Sequence, residues 1–170
     1  MAGLTQPLLG ASWGHRDPNQ GLVLVSRAGG LLTCPGPRPA AGSPWKCGAP
    51  DGMPKGLPIF DGMRLTAATA ALVPSKADGS LRLHAAFIHE AEPELAVVFE
   101  HASGTWMPLG EVRVPHAAPK ASLAFVGDGD LLVSTGSGHV LRRRLADGAI
   151  ISSVEHAHHA EGAQWQGACG

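Results

Sequence analysis

The sequence predicts an all-β fold of antiparallel meanders, and three observations support this prediction. Short apolar runs alternate with glycine-rich turns over residues 121–151, the same order recurs over residues 8–34, and four longer apolar runs fill residues 64–115. Gly and Asp-Gly readily adopt the backbone conformations that two-residue hairpin turns need. Each break between runs is therefore a turn with a physical basis.

The clearest meander lies in residues 121–151. Strands are predicted at Ser122–Val126, Asp130–Ser134 and His139–Leu145, with hairpin turns at Gly127–Gly129 and Gly136–Gly138. Side chains alternate faces along a strand. The third strand should therefore have one face with Val140, Arg142 and Arg144 and another with Leu141, Arg143 and Leu145. Asp147-Gly148 then turns the chain into Ala149–Ile151.

The two other sets of runs predict further strands. The first set consists of Leu8–Trp13, Gly21–Ser26 and Leu31–Cys34, and the second of Leu65–Pro74, Leu81–Glu90, Leu95–Ala102 and Thr105–Val114. An Asp78-Gly79 turn separates the first two strands of the second set. The Ala-rich stretch 66–72 leaves a helix open as the alternative, because Ala is the best helix former; its Thr residues and neighbouring meander favour a strand.

Residues 35–62 interrupt this pattern with seven prolines and six glycines. Proline cannot donate a hydrogen bond to a sheet ladder, so this segment should stay out of any sheet interior. It reads as a loop or insertion that Trp45 and Ile59-Phe60 attach to the core.

Residues 121–148 resemble a blade of a WD40-like or related β-propeller. The resemblance rests on Leu123-Ala124-Phe125, Gly127-Asp128-Gly129, Leu131-Leu132-Val133-Ser134, Gly136-Ser137-Gly138, Val140-Leu141-Arg142 and Asp147-Gly148. The Trp-Asp pair that ends the third strand in that family is absent, since Arg144-Leu145 stands there, and so is the Gly-His signature. The resemblance implies about three blades, an incomplete propeller among the possible arrangements, and a scaffold whose loops meet a partner.

The chain divides accordingly into five parts. Residues 1–34 are a first blade-like unit, 35–63 the insertion, 64–115 a second unit, 116–156 a third unit, and 157–170 a polar linker with a lone terminal strand. Residues 8–14 and 163–170 both look like the first strand of a unit. The predicted core consists of Leu24, Leu83, Phe87, Val97, Phe99, Leu123, Phe125, Leu132, Val133 and Leu141.

Composition excludes some functions. The net charge is −1, and the basic cluster Arg142–Arg144 alternates faces on a strand, so no basic stripe for nucleic acid is expected. No apolar run approaches the roughly 20 residues of a membrane helix. The start of the chain has no charged leader, which predicts a cytoplasmic location. The three cysteines are expected to be reduced, with a Cys34–Cys47 disulfide as the alternative for an exported protein.

The histidines are the candidates for chemistry. His156, His158 and His159, flanked by Glu155 and Glu161, offer ligands that suit zinc, although a solvated linker is the simpler interpretation. His84 and His101 are expected to pair across strands. Glu90, Glu92 and Glu94 surround a proline and read as a solvated turn, and the four Trp residues as packing groups.

The sequence carries no catalytic motif and predicts no cofactor beyond that zinc candidate. The function expected is a non-enzymatic propeller-like scaffold or protein-interaction module. One alternative is an enzyme or metal-dependent domain with a loop His/Glu site, and another is a fragment of a larger propeller. The expected partner is a protein or the remainder of a propeller, and neither nucleic acid nor membrane.

Overall fold

The computed structural model describes residues 7–13, 21–36, 40–49, 52–59, 62–75, 77–114, 121–126, 129–135, 138–145 and 150–155. Within these ranges every helix or strand element is a β-strand, and the strands form three antiparallel sheets. The prediction of an all-β fold of antiparallel meanders is therefore confirmed. In the same ranges, no helix has the length and apolar character needed to cross a membrane.

Each sheet contains strands that follow one another along the chain. The first sheet has the order β1 (Leu8–Trp13), β2 (Leu22–Ser26) and β3 (Leu31–Cys34). The middle sheet has the order β4 (Leu65–Pro74), β5 (Leu81–His89), β6 (Leu95–Ala102) and β7 (Thr105–Arg113). The third sheet consists of β8 (Ser122–Val126), β9 (Asp130–Ser134), β10 (His139–Arg143) and β11 (Ile150–Glu155). Turn residues, rather than strand propensity alone, set these boundaries.

The Ala-rich stretch of β4 is a strand, so the helical alternative is wrong. Positions 67–73 are all buried, and Thr69 and Ala70 are completely inaccessible. A strand covered on both faces needs small or apolar side chains in both directions. Burial between two other sheets outweighs the helix propensity of Ala, which is worth only a few tenths of a kcal/mol per residue.

The middle sheet lies between the other two, and each of its faces contributes to a hydrophobic cluster. The cluster towards the first sheet contains Val23, Val25, Leu31, Leu57, Leu65, Ala68, Ala70, Leu72, Leu83, Ala85 and Phe87. The cluster towards the third sheet contains Ala67, Ala86, Ile88, Ala96, Val98, Val112, Val114, Leu123, Leu131 and Val133. Alternation of side chains along β4 and β5 sends successive residues to opposite clusters.

Most of the predicted core residues are buried. Six are buried, namely Leu24, Leu83, Phe87, Leu123, Val133 and Leu141. Val97, Phe99 and Phe125 are partly buried and pack against the two clusters. Leu132 is the exception, because Leu131 and Val133 face inward and the alternation of β9 therefore turns Leu132 to the opposite face.

The first strands of the three sheets, β1, β4 and β8, contact one another. Gly10 of β1 lies against the backbone of Ala68 and Thr69, so closely that a Cβ atom would overlap the Ala68 carbonyl oxygen. Glycine is therefore required where β1 crosses β4. The three sheets thus diverge from a common line of first strands.

The proline-rich segment lies along the outer edge of β3. Thr33 and Gly48 exchange two backbone hydrogen bonds, and Gly30 pairs with Gly56. The pairing of Thr33 with Gly48 sets Cys34 opposite Cys47, and these two residues form a disulfide. The expectation of reduced thiols is therefore wrong for this pair, because the segment folds back onto the sheet edge instead of extending away.

Other predicted features divide between described and undescribed residues. The Asp78-Gly79 turn is present, with Gly79 at a φ of 71° and its N–H donating to the Ser75 carbonyl. Gly127, Asp128, Gly136 and Ser137 lie outside the described residues. So do His156, His158 and His159 and the whole of residues 157–170.

Candidate functional site

The interface between the middle and third sheets changes character along its length. At one end it is apolar, where Ile88, Val98 and Val112 pack against Leu131 and Val133. At the other end, where β4 finishes and β5 begins, the same face of the middle sheet carries charged and polar side chains. The two sheets are separated there by a cavity of about 300 Å³.

Both sheets contribute to the walls of this cavity. The middle sheet supplies Val73, Pro74, Ser75, His84, Glu100 and Leu109, and the third sheet supplies Gly129, Asp130, Arg144 and Leu145. Apolar residues thus alternate with a histidine, two acidic residues and an arginine. A concave site with apolar walls and a few convergent polar groups is the usual form of a binding site.

Glu100 is the centre of the polar group on the middle sheet. The antiparallel register places it directly opposite His84 on β5. Its carboxylate accepts a hydrogen bond from Arg82 Nη1 at 2.7 Å and contacts His84 Nε2 at 3.1 Å. Arg82 also lies 3.8 Å from the Asp78 carboxylate in the adjacent turn. Cross-strand neighbours therefore hold His84 and Glu100 in one orientation.

Burial and hydrogen bonding set the charges of this group. Burial lowers the pKa of His84 and outweighs the opposing effect of the nearby Glu100 carboxylate. Burial alone would raise the pKa of Glu100, but the hydrogen bonds from Arg82 and His84 prevail and lower it. Near neutral pH, Glu100 is therefore ionised and His84 is uncharged.

One nitrogen of His84 has no hydrogen-bond partner in the part of the chain that the structure describes. Because the Glu100 carboxylate can only accept, the neutral ring donates through Nε2–H and keeps a lone pair on Nδ1. Nδ1 is buried and has no hydrogen-bond partner among the described residues. Gly129 is its neighbour in the third sheet, since a Cβ atom added to Gly129 would lie 3.9 Å from Nδ1. Phe125 meets the ring edge-on, with 6.0 Å between ring centroids.

A second ion pair involves Asp130, a residue of the cavity wall, and lies on the face of the third sheet that carries Leu132. Arg142 donates from Nε and Nη2 to Oδ2 of Asp130, at 2.9 and 2.6 Å. On the opposite face of β10, Arg143 reaches the middle sheet and donates to the Arg113 carbonyl at 3.2 Å. The alternation predicted for these arginines therefore gives them different contacts: Arg142 binds Asp130 within the third sheet, and Arg143 binds the middle sheet.

The rim of the cavity on the outer strand β7 is apolar and exposed. Met107 is 43% exposed and lies opposite Glu100, and Leu109 is 41% exposed and lines the cavity. Between them, Pro108 removes a backbone donor, and the ladder with β6 has a bulge at Val98/Phe99. These features oppose the addition of another strand to this edge.

The structure tests only some of the residues singled out in the sequence. The expected pairing of His84 with His101 is wrong: Glu100 is opposite His84, while His101 is opposite Trp106, with ring centroids 5.3 Å apart. Within the described ranges, no group of three His, Cys, Asp or Glu residues is placed to hold a metal ion. The zinc candidates fall outside those ranges.

The prediction of a solvated Glu turn is confirmed, the prediction that the Trp residues are packing groups is confirmed for Trp106, and one site residue was missed. Glu90, Glu92 and Glu94 are exposed in the turn between β5 and β6. Trp106 is a packing residue whose Nε1–H donates to the Gly56 carbonyl at 3.2 Å. Sequence reasoning overlooked Glu100, although a carboxylate inside the apolar run of residues 95–102 is a signal that the strand needs a buried partner.

Comparison with known proteins does not assign a family. No family model and no curated protein matches this sequence.

Proposed function

We propose that this protein is a non-enzymatic, propeller-like scaffold that binds a protein partner at the cleft between the middle and third sheets. The observation that supports this most directly is the apolar rim formed by Met107 and Leu109 beside the cavity. Exposed apolar side chains that border a pocket are typical of the centre of a protein interface.

The polar groups of the cleft suit this role because they are already ordered. Arg82, Glu100 and His84 hold one another, as do Arg142 and Asp130. A partner would not need to immobilise these side chains, which lowers the entropic cost of association. The proline and bulge of β7 favour docking through side chains over addition of a strand.

The same geometry accommodates the remainder of a propeller as the partner. The described residues form three meander sheets, whereas a closed propeller needs at least four. The near-neutral net charge disfavours nucleic acid, whose binding draws on a basic surface. The proposal includes neither nucleic acid nor a membrane as partner.

A peptide-display selection against the folded chain tests the proposal. Selected peptides should bind the wild-type protein and lose at least tenfold in affinity with Leu109→Asp. Leu81→Asp is the matched control, because Leu81 is 45% exposed on the same sheet but does not line the cavity. Equal loss with both variants, or no loss with either, would show that the cleft is not the docking site.

One observation favours an enzyme as a second candidate. His84 lines the cavity, and the Glu100 carboxylate orients its ring through Nε2, which is the usual arrangement of a histidine that acts as a general base. Hydrolysis of 4-nitrophenyl acetate above background, lost with His84→Phe and kept with His101→Phe, would support this candidate.

The metal-dependent form of the enzyme candidate depends on zinc at His156, His158 and His159. A thermal shift with zinc that is lost with His156→Ala tests that form.

The compartment is also part of the proposal. Disulfides persist in oxidising environments and are rare in the cytoplasm. The Cys34–Cys47 disulfide therefore favours an oxidising compartment over the cytoplasmic location expected from the sequence. Mass spectrometry of the native protein, alkylated before reduction, decides between them: alkylated Cys34 and Cys47 would restore the cytoplasmic assignment.

A further inference from the structure

The outer edge of the first sheet is occupied by a segment that is not itself a strand. Among the described residues this sheet has three strands, whereas each of the other two has four. On the edge of β3 that faces away from β2, Leu31 donates a backbone hydrogen bond to the Lys55 carbonyl at 2.9 Å. Thr33 and Gly48 exchange two backbone hydrogen bonds of 3.0 Å. The proline-rich segment thus takes the position of a fourth strand.

This segment is a poor substitute for a strand. We call the two stretches that contact β3, residues 47–48 and 55–57, the strap. They pair with the first sheet at two separate points, and each point has a glycine, Gly48 or Gly56. Glycine loses more conformational freedom on folding than any other residue and has no side chain to pack. A continuous strand of another peptide would therefore bind this edge better than the strap does.

One of the two contact points is held by packing. Leu57 is 7% exposed and belongs to the hydrophobic cluster between the first and middle sheets. Met53 and Ile59 pack against the same cluster, and Trp106 donates from Nε1 to the Gly56 carbonyl. These contacts are independent of the disulfide, so the fold around this point does not require it.

The other contact point is held by the disulfide. Cys47 and Gly48 are both exposed, whereas Cys34 is 1% exposed. Contacts with little apolar burial and exposed backbone hydrogen bonds are the first to open. The disulfide closes a loop of 13 residues, and in the chain-entropy model such a cross-link favours the attached state by up to about a hundredfold. The disulfide therefore decides whether the strap stays on Thr33.

We infer that the edge of β3 is a binding site for an extended peptide strand, and that the disulfide keeps the strap on this site until a dithiol reduces it. Gly56 and Leu57 indicate which strand fits. A Cβ atom at Gly56 would lie 3.2 Å from the Gly29 carbonyl oxygen, and the Leu57 side chain packs into the apolar cluster. The partner is therefore an extended segment with a small residue followed by an apolar one. This site is on the first sheet and does not depend on binding at the cleft.

Reduction transfers two electrons from the dithiol to the disulfide. Access is from the side of Cys47, since Cys34 is buried. A thiolate of the dithiol bonds to Sγ of Cys47, the S–S bond breaks, and Cys34 leaves as a thiolate that takes up a proton. The second thiolate of the dithiol then attacks its own sulfur in the mixed disulfide and releases Cys47, which is also protonated. The dithiol leaves as a disulfide, and both cysteines are thiols.

Amide hydrogen exchange tests the release of the strap. The chain carries Cys169→Ser, so that the disulfide pair supplies its only cysteines. Dithiothreitol should speed exchange at Thr33 and Gly48 by about ten- to a hundredfold, whereas Ala85 and Ala86, which are 0% exposed in β5, should stay protected. Unchanged exchange at Thr33 and Gly48 would overturn the inference. Faster exchange at Ala85 and Ala86 as well would also overturn it, because reduction would then unfold the chain.

Peptide binding tests the site itself. The probe is a fluorescent peptide of residues 46–59 with Cys47→Ser, and the chain carries Leu57→Asp so that its own strap does not compete for the apolar cluster. Fluorescence anisotropy should show at least about tenfold tighter binding after reduction than before, because the strap is no longer tethered to the edge. A control peptide that also carries Leu57→Asp should not bind. Equal affinity before and after reduction would overturn the role of the disulfide, and no binding after reduction would overturn the site.

NMR titration locates the bound peptide in the same variant. Protected amides in β5 show that the substitution leaves the middle sheet folded, and Leu57→Ala is the milder substitution for the same purpose. The amide signals of Leu31 and Thr33 should shift on binding, whereas that of Leu109 at the cleft should not. A shift at Leu109 with none at Leu31 or Thr33 would assign the peptide to the cleft and exclude the edge of β3.

Discussion

The two faces of the middle sheet pack against neighbouring sheets in different ways. The face towards the first sheet is mainly apolar: Leu65 lies at one end, Leu83 and His101 at the other, and Phe87 stacks on Phe99 between them. The face towards the third sheet is apolar only around Ile88 and Val98, and beyond them it carries Arg82, His84 and Glu100. Both faces belong to the same strands, and they differ because alternate residues of each strand point to opposite sides of the sheet.

This difference separates stability from recognition within one sheet. Apolar burial contributes roughly 25 cal/mol per Å², whereas buried charged groups about balance their desolvation against their pairing. The first face therefore holds the sheets together, and the polar end of the second face provides a cavity at little net cost. The following predictions test this assignment in order of expected effect.

Phe87→Ala should have the largest effect. The side chain is 2% exposed in the cluster facing the first sheet, and truncation of a buried Phe costs about 3–5 kcal/mol. Urea denaturation measures the loss, with Leu81→Ala on the same strand as the exposed control. A loss under 1 kcal/mol for Phe87→Ala would remove the distinction between the two faces.

Cys47→Ser should have the next largest effect on the first face. The disulfide closes a loop of 13 residues and holds the segment that carries Leu57 into the same cluster. Its loss should destabilise the protein by about 2–4 kcal/mol. Dithiothreitol should reproduce this loss in the wild-type protein and leave the variant unaffected; an effect on both would indicate another cause.

Glu100→Gln should have a smaller effect, confined to the second face. The substitution preserves size but weakens the hydrogen bonds from Arg82 and His84, which are partly accessible to solvent. We expect a loss of about 1–2 kcal/mol, discounted for that exposure. Glu111→Gln on the exposed side of β7 is the control and should change stability by less than about 0.5 kcal/mol.

Acidification should produce the smallest effect and should act through the second face. The pKa of His84 is lower in the folded state than its ordinary value of 6.5, so stability is lost as the pH falls below 6.5. The pKa of Glu100 is also lowered, from 4.5, so a second loss follows below pH 4.5. His84→Phe should remove the first loss and retain the second. An unchanged first loss in this variant would assign it to another group.

The sequence by itself determined where most of the strands lie, although it did not predict that β11 extends from Ile150 to Glu155. The bounds of β1, β3, β4, β6, β8 and β9 agree with the predicted ones, because Gly, Asp-Gly and Pro act on the backbone locally and need no tertiary context. The same locality accounts for the Asp78-Gly79 turn. Alternation of side chains along a strand is equally local, so the prediction correctly placed Leu141 and Arg142 on opposite faces of β10.

Tertiary structure decided what each strand faces and which distant residues meet. It buried Ala-rich β4 on both sides, turned Leu132 away from the core and joined Cys34 to Cys47. It also paired His84 with Glu100 and brought both to the third sheet across a cavity. These outcomes depend on strand register and on the stacking of sheets, which bring together residues far apart in the chain and are therefore invisible to a local pattern.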